Sequence, residues 1–132
     1  MIPELHREMA ERIERSLAVC QENDWEMKIE AAMLAGTHWA NYALHCHGVC
    51  ADQEDIIHTS MLVVNTLRKY AIVEPELLRA LGEIEEMRPL YVRGDLKGGR
   101  EAALRALALL GEINERACRI ARPAHQDRGQ PC

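Results

Sequence analysis

The sequence contains no phenylalanine, and aromatic residues as a whole account for only 4% of its 132 positions. Alanine, leucine, glutamate and arginine are abundant instead, and this composition favours helix over sheet. The five prolines all lie at the edges of periodic segments, as expected in a helical bundle. We therefore predict an all-α fold, in one domain that is large enough to bury a core of its own.

Long uninterrupted apolar runs are also missing, because charged residues break up every long apolar stretch. This pattern argues against a transmembrane helix, and no signal peptide is recognisable. The five cysteines are odd in number and lack the spacing of a disulfide framework, which predicts a reducing, cytoplasmic location. The net charge of −5 argues against non-specific binding of nucleic acid through a broad basic surface.

The motifs of several enzyme classes are missing as well. There is no Gly-x-Ser-x-Gly elbow, and the glycines at 94, 98 and 99 lack the Gly-Lys-Ser/Thr of a phosphate loop. Glu26 and Glu30 lie one helical turn apart, but no Glu-x-x-His motif accompanies them, which argues against a di-iron bundle. The sequence therefore predicts no cofactor, and it assigns no catalytic residue.

Apolar residues recur every three or four positions along five segments, which predicts five helices. The predicted helices begin near Pro3, Asn23-Asp24, Asp52, Glu74-Pro75 and Arg100. The second should stop at Gly48, the fourth should end or kink at Pro89, and the fifth should end near Ala121. Residues 1–121 are thus expected to form a single antiparallel, up-and-down bundle, followed by a flexible C-terminal tail over 122–132.

Two glycines interrupt the predicted helices, Gly36 in the second and Gly111 in the fifth. A glycine inside a helix costs about 1 kcal/mol relative to alanine. We therefore expect both positions to mark close contacts between helices.

The leucines of the fifth helix cover more than one narrow stripe of its surface. They are Leu104, Leu107, Leu109 and Leu110. One face would then serve the core of the monomer and another a partner, which predicts a homodimer. The alternative is a central helix that is surrounded by its own neighbours.

Histidines and cysteines are concentrated around the end of the second helix. His38, Tyr42 and His45 are spaced by four and three residues and so share one helix face. His47, Cys50 and His58 are further candidate ligands, but their spacing matches no standard zinc motif. We therefore predict no metal, and a zinc site built from His47, Cys50 and His58 is the minority alternative.

A second polar group lies between the fourth and fifth helices, at Arg88, Arg93 and Asp95. Arginines make forked, charge-assisted hydrogen bonds to phosphate or carboxylate, which favours an anion-binding site here. The structural alternative is that Arg93 pairs with Asp95 or with a helix end and fixes the connection between the two helices.

Four segments together resemble the HEPN family (higher eukaryotes and prokaryotes nucleotide-binding), over about residues 25–121. They are Thr37 to Leu44, Ile57-His58-Thr59, Arg93-Gly94-Asp95, and Glu101 through Ile113. The resemblance implies a HEPN-like helical bundle. It also implies a homodimer, and a nucleotidyltransferase as a partner in a toxin–antitoxin setting. The ligand-binding candidates are Arg88, Arg93, Asp95, His38, Tyr42 and His58.

The sequence departs from the HEPN proteins that are metal-independent ribonucleases. Those pair an arginine with a nearby histidine, so that the arginine steadies the phosphorane and the histidine moves a proton. Here Arg68, Arg88 and Arg93 have no histidine at that spacing, and only Arg119 with His125 matches it. We therefore expect a non-catalytic module that binds a nucleotide-type or other anionic ligand, RNA, or a protein partner. A ribonuclease is the alternative, and a metal-binding regulatory bundle a distant one.

Overall fold

The structure is a computed structural model that describes residues 1–121, and this part of the chain contains helices and no strands. The five α-helices are α1 (Pro3–Ser16), α2 (Trp25–Cys46), α3 (Val64–Val73), α4 (Pro75–Met87) and α5 (Gly99–Ala121). The predicted all-α bundle of five helices is thereby confirmed. The predicted tail over 122–132 lies outside the described residues. None of the described helices has the length and apolar character needed to cross a membrane.

The long helices alternate in direction along the chain. Glu74 at the start of α4 contacts His47 after the end of α2 and Arg116 near the end of α5. At the other end of α4, Arg88 reaches Glu30 near the start of α2. The fourth helix therefore runs antiparallel to both α2 and α5, as predicted for an up-and-down bundle.

The second and fifth helices pack against each other in parallel and form the centre of the molecule. Trp25, at the start of α2, lies against Gly99 at the start of α5, and Gly36 lies against Ile113 further along. Side chains from both helices fill the core, among them Ile29, Trp39, Leu44, Leu109 and Ile113, all of which are fully buried. The first helix runs antiparallel to α2, because His6 near its start stacks on His45 near the end of α2, whereas Glu14 near its end accepts from Trp39 in the middle of α2.

The two helical glycines behave differently. A Cβ on Gly36 would lie 3.2 Å from Leu81 Cδ1 and 3.5 Å from Ile113 Cδ1, so the predicted close contact at Gly36 is confirmed. Gly111 is exposed, and a Cβ there would meet nothing within 4 Å. The predicted close contact at Gly111 is therefore wrong, because this position of α5 faces solvent rather than a neighbouring helix.

Gly48 ends α2 as predicted, with a φ of 71° that favours glycine over other residues. The amides of Gly48 and Val49 donate back to the carbonyls of His45 and Leu44, and this pair of hydrogen bonds is a Schellman motif. Pro89, for its part, lies in a short π-helical turn, Arg88–Val92, that follows α4. The predicted end or kink at Pro89 is thus confirmed, because proline offers no amide to continue the helix.

The predicted start of the third helix at Asp52 is wrong. Residues 51–58 form a loop, a short 3₁₀ turn follows at Thr59–Met61, and α3 begins only at Val64. The loop is held on α2 by Asn41, which bonds both backbone groups of Ile56. A tertiary contact therefore takes the place of the helix that the apolar spacing predicts.

Glu74 joins three helices through one buried carboxylate that is only 2% exposed. Arg116 donates to both of its oxygens, at 2.8 and 2.9 Å, and His47 Nε2 lies 2.8 Å from Oε2. Burial alone would raise the pKa of Glu74, but the hydrogen bonds from Arg116 and His47 outweigh it and lower that pKa. The carboxylate is therefore ionised in the folded protein and holds α4 to α2 and α5.

We expect Glu74→Gln to lower the free energy of unfolding by about 1–3 kcal/mol at neutral pH. Because the pKa of Glu74 is lowered on folding, its stabilisation is present above the ordinary glutamate pKa. It is lost as pH falls through the folded value. The difference from wild type should therefore shrink as the solution is acidified, in urea titrations over a pH series. Glu86→Gln, on the exposed face of α4, is the matched control; a loss that stays constant down to low pH would contradict the account.

Candidate functional site

A buried asparagine fixes the loop that forms one side of the candidate site. The Asn41 side chain is 1% exposed; its Nδ2 donates to the Ile56 carbonyl at 2.8 Å, and its Oδ1 accepts from the Ile56 amide at 2.7 Å. Nδ2 also donates to the Thr37 carbonyl, one helical turn earlier, at 3.0 Å. Every polar atom of this amide is thus used, and Asp55 is thereby set beside the α1–α2 interface.

Three histidines and one aspartate meet at this interface. His6 Nε2 lies 2.9 Å and His45 Nε2 lies 2.8 Å from the same oxygen, Asp55 Oδ1. His6 Nδ1 lies 2.9 Å from His38 Nδ1, so a chain of contacts runs from His38 through His6 to Asp55. The rings of His6 and His45 stack with their centroids 5.3 Å apart. The four side chains come from three elements: α1, α2 and the loop over 51–58.

The hydrogen-bond partners determine the tautomers of these histidines. An ionised carboxylate only accepts hydrogen bonds, so both Nε2 atoms that contact Asp55 carry a proton. The Nδ1 atoms of His6 and His45 then act as acceptors. Cys50 Sγ lies 3.2 Å from His45 Nδ1 and donates to it, and His38 Nδ1 donates to His6 Nδ1. These contacts are therefore consistent with one another around the single negative charge of Asp55.

The pKa shifts agree with this charge distribution. Burial lowers the pKa of both His6 and His38. Burial alone would raise the pKa of Asp55, but hydrogen bonds from His6, His45 and the amino group of Met1 reverse this and lower it to about 2. At neutral pH the cluster consequently holds an aspartate anion next to the uncharged imidazoles of His6 and His38.

A cavity of about 370 Å³ opens beside this cluster. Met33, Leu34 and Ile57 provide an apolar wall, and Arg88 and Glu30 belong to the polar part of the lining. The full lining is Met1, His6, Glu30, Met33, Leu34, Thr37, His38, Asn41, Asp55, Ile56, Ile57, His58 and Arg88. Arg88 makes a forked ion pair with Glu30, at 2.7 and 3.2 Å. The cavity thus combines an apolar body with a few polar groups that point into it.

Three of the six ligand-binding candidates predicted from the sequence line this cavity: His38, His58 and Arg88. The other three do not. Tyr42 is buried edge-on against Trp39. Arg93 lines a separate groove with Thr59, Glu85 and Pro89, and Asp95 is exposed in the connection before α5.

The cavity is also lined by residues that the sequence did not identify as site residues. They are His6, Glu30, Asn41 and Asp55. The spacing of His38 and His45 did indicate a shared helix face, but His6 and Asp55 belong to other elements. No local pattern connects them to α2. Their convergence depends on how α1 and the loop over 51–58 pack.

The histidines of the minority zinc alternative lie in separate networks. His47 contacts Glu74 at 2.8 Å, and His58 lies 3.7 Å from Glu85. Among the described residues, three potential metal ligands have their ligand atoms within 4.8 Å of one another. They are His6, His45 and Asp55. His47, Cys50 and His58 form no such group.

Comparison with known proteins gives no matching family model, no similar curated protein and no similar solved structure. The interpretation of the cavity therefore rests on its own geometry.

We expect Asn41→Ala to destabilise the protein by about 2–4 kcal/mol, because it leaves the buried amide and carbonyl of Ile56 without partners. The loop over 51–58 should loosen first. Hydrogen exchange should therefore show faster exchange at Ile56 than at the core of α5. Thr37→Ala, which removes a hydroxyl bonded only to its own helix, is the control. Unchanged protection of Ile56 in Asn41→Ala would contradict this view of the loop.

Proposed function

We propose that this chain is a non-catalytic helical module that binds one small organic ligand in the cavity between α1, α2 and the loop over 51–58. The observation that carries the proposal is the cavity itself. Its volume of about 370 Å³ falls within the range that small-molecule sites occupy, roughly 300–1,000 Å³. Its mainly apolar wall with a few convergent polar groups is also typical of such sites.

The polar groups of the cavity favour a ligand with an apolar or aromatic body and one anionic group. Arg88 has five N–H donors, of which two bond Glu30, so donors remain for a phosphate or carboxylate. His38 and His58 add hydrogen-bonding groups beside it. Met33, Leu34 and Ile57 offer a surface for the body of the ligand. A nucleotide-type ligand fits this description.

The resemblance to the HEPN family supports the same proposal, and it stays a prediction. The ribonuclease alternative depends on Arg119 and His125, and His125 lies outside the described residues. No feature of the described site favours nucleolytic chemistry over binding, so the binding module is the function that we put forward.

A homodimer remains part of the proposal, as does a protein partner such as a nucleotidyltransferase. Leu109 and Leu110 of α5 are buried in the monomer, whereas Leu104 is 57% exposed and would belong to a partner-facing surface. Further exposed apolar side chains cluster along the chain around α3: Ile57, Met61, Val63, Val64 and Ile72. Apolar groups at such density on a surface are typical of interaction sites.

We expect members of a panel of mononucleotides and aromatic carboxylates to bind the full chain in calorimetric titrations. Arg88→Gln should weaken the best of them by about tenfold or more, because a charge-assisted hydrogen bond is lost. Arg93→Gln, which changes an arginine outside the cavity, is the matched control. Since Arg88→Gln leaves Glu30 unpaired, the double variant Glu30→Gln/Arg88→Gln separates loss of binding from loss of stability. If Arg93→Gln weakens binding while Arg88→Gln does not, the cavity is not the ligand site.

We expect native mass spectrometry of the full chain to give the mass of a dimer. Leu104→Asp should shift that mass to the monomer, because it places a charge on the exposed face of α5. Val19→Asp changes another exposed apolar residue, 83% exposed and far from α5 in the sequence, and serves as the control. A monomeric mass for the wild-type protein would contradict the homodimer.

A further inference from the structure

We infer that His6, His45 and Asp55 bind a divalent first-row transition metal such as Zn²⁺ or Co²⁺, with an open coordination position that faces the cavity. This inference goes beyond the binding of an organic ligand and does not require it. It rests on the convergence of three ligand atoms from three separate elements, on the hydrogen-bond partners behind them, and on the direction in which the site opens.

The ligand atoms already lie close to the separations that a metal requires. Both Nε2 atoms face Asp55 Oδ1, at 2.9 Å from His6 and 2.8 Å from His45, and all three ligand atoms lie within 4.8 Å of one another. With metal–ligand bonds of about 2.0–2.1 Å, tetrahedral ligand atoms lie about 3.3 Å apart. Small side-chain rotations therefore suffice to place an ion between the two rings and the carboxylate.

The chemistry of the ligand set selects the class of metal. Two imidazoles and one carboxylate suit zinc, cobalt or iron, whereas magnesium and calcium prefer sites made of oxygen ligands. The carboxylate of Asp55 supplies one negative charge toward that of the ion, and the two imidazoles supply nitrogen ligands. The amino group of Met1 contacts the other oxygen, Oδ2, and leaves Oδ1 to the two rings.

The groups behind the two histidines accept either tautomer. A metal on Nε2 moves the ring proton to Nδ1, which then needs an acceptor. For His45 that acceptor is the Cys50 carbonyl, 3.4 Å from Nδ1; in the metal-free network the Cys50 thiol donates to the same atom at 3.2 Å. For His6 the acceptor is His38 Nδ1, once His38 carries its proton on Nε2. Metal binding therefore changes where the protons lie without leaving a buried nitrogen unpaired.

The arrangement leaves room for a further ligand of the metal. Three protein ligands with a vacant position are typical of zinc sites that bind water or substrate, whereas structural sites have four protein ligands. His6 and Asp55 both line the cavity, so the vacant position would open into it. The Arg88–Glu30 ion pair lines the same cavity. A metal-bound water or an anionic group of a ligand would thus lie in the cavity that Arg88 also lines.

The test is a Co²⁺ titration of the full 132-residue chain after treatment with a chelator, followed by visible absorption. We expect one equivalent of Co²⁺ to bind, with the d–d bands of a four- or five-coordinate ion, and Zn²⁺ to displace it. Asp55→Asn and His45→Gln should each weaken binding by more than about tenfold, because each removes a ligand. The matched control is His47→Gln, which changes a histidine outside both the cluster and the cavity and should leave the affinity unchanged.

Circular dichroism distinguishes loss of the site from loss of the fold in each variant. If neither ligand variant folds, NMR of the wild-type imidazoles decides the matter, since Zn²⁺ should shift the Nε2 resonances of His6 and His45 and not that of His47. Folded wild-type protein that takes up no Co²⁺ overturns the inference. So does binding that persists in Asp55→Asn and is lost in His47→Gln. Because no organic ligand is present, these outcomes are independent of whether the cavity binds one.

Discussion

The hydrogen bonds between Asn41 and Ile56 are the constraint on which the candidate site depends. The loop over 51–58 carries backbone amides and carbonyls. These groups need hydrogen-bond partners where the loop packs against a helix instead of facing solvent. Asn41 provides both a donor and an acceptor from inside α2, and so matches both polar groups of one residue. The position of Asp55 follows from this attachment, because Asp55 directly precedes Ile56. Without the buried amide, the cluster of His6, His45 and Asp55 would lose its carboxylate.

Two carboxylates near the C-terminal end of α2, Glu74 and Asp55, act in different ways. Glu74 is surrounded by Arg116 and His47, and it holds three helices together through charge-assisted hydrogen bonds. The Asp55 side chain is 29% exposed and contacts the imidazoles of His6 and His45 at the edge of a cavity. The first carboxylate has its charge compensated by the guanidinium of Arg116. The second is held by hydrogen bonds from two imidazoles and from the amino group of Met1.

The sequence allowed the helices to be predicted, because their determinants are local. The apolar spacing along α1, α2, α4 and α5, the glycine at 48 and the proline at 89 all act within one or two helical turns, and the structure confirms each of these signals. The prediction at Asp52 was wrong because a tertiary hydrogen bond from Asn41 competes with the local preference of that segment. The site was only half predictable for the same reason. His38, His58 and Arg88 were singled out by helix face and residue type, whereas His6 and Asp55 come from elements whose packing has no signature in a single sequence.

The metal-free cluster is fully hydrogen-bonded, and this bears on how a metal would act there. A half-satisfied set of buried histidines would collapse or take up water in the absence of the ion. Here the thiol and the carbonyl of Cys50 lie near the same nitrogen of His45, so either proton position finds a partner. The rings are consequently held near their metal-binding orientation before any ion arrives, and less ordering entropy is lost on binding. The fold does not depend on the metal, because the hydrogen bonds of Asn41 and Glu74 and the core between α2 and α5 stabilise the bundle without it.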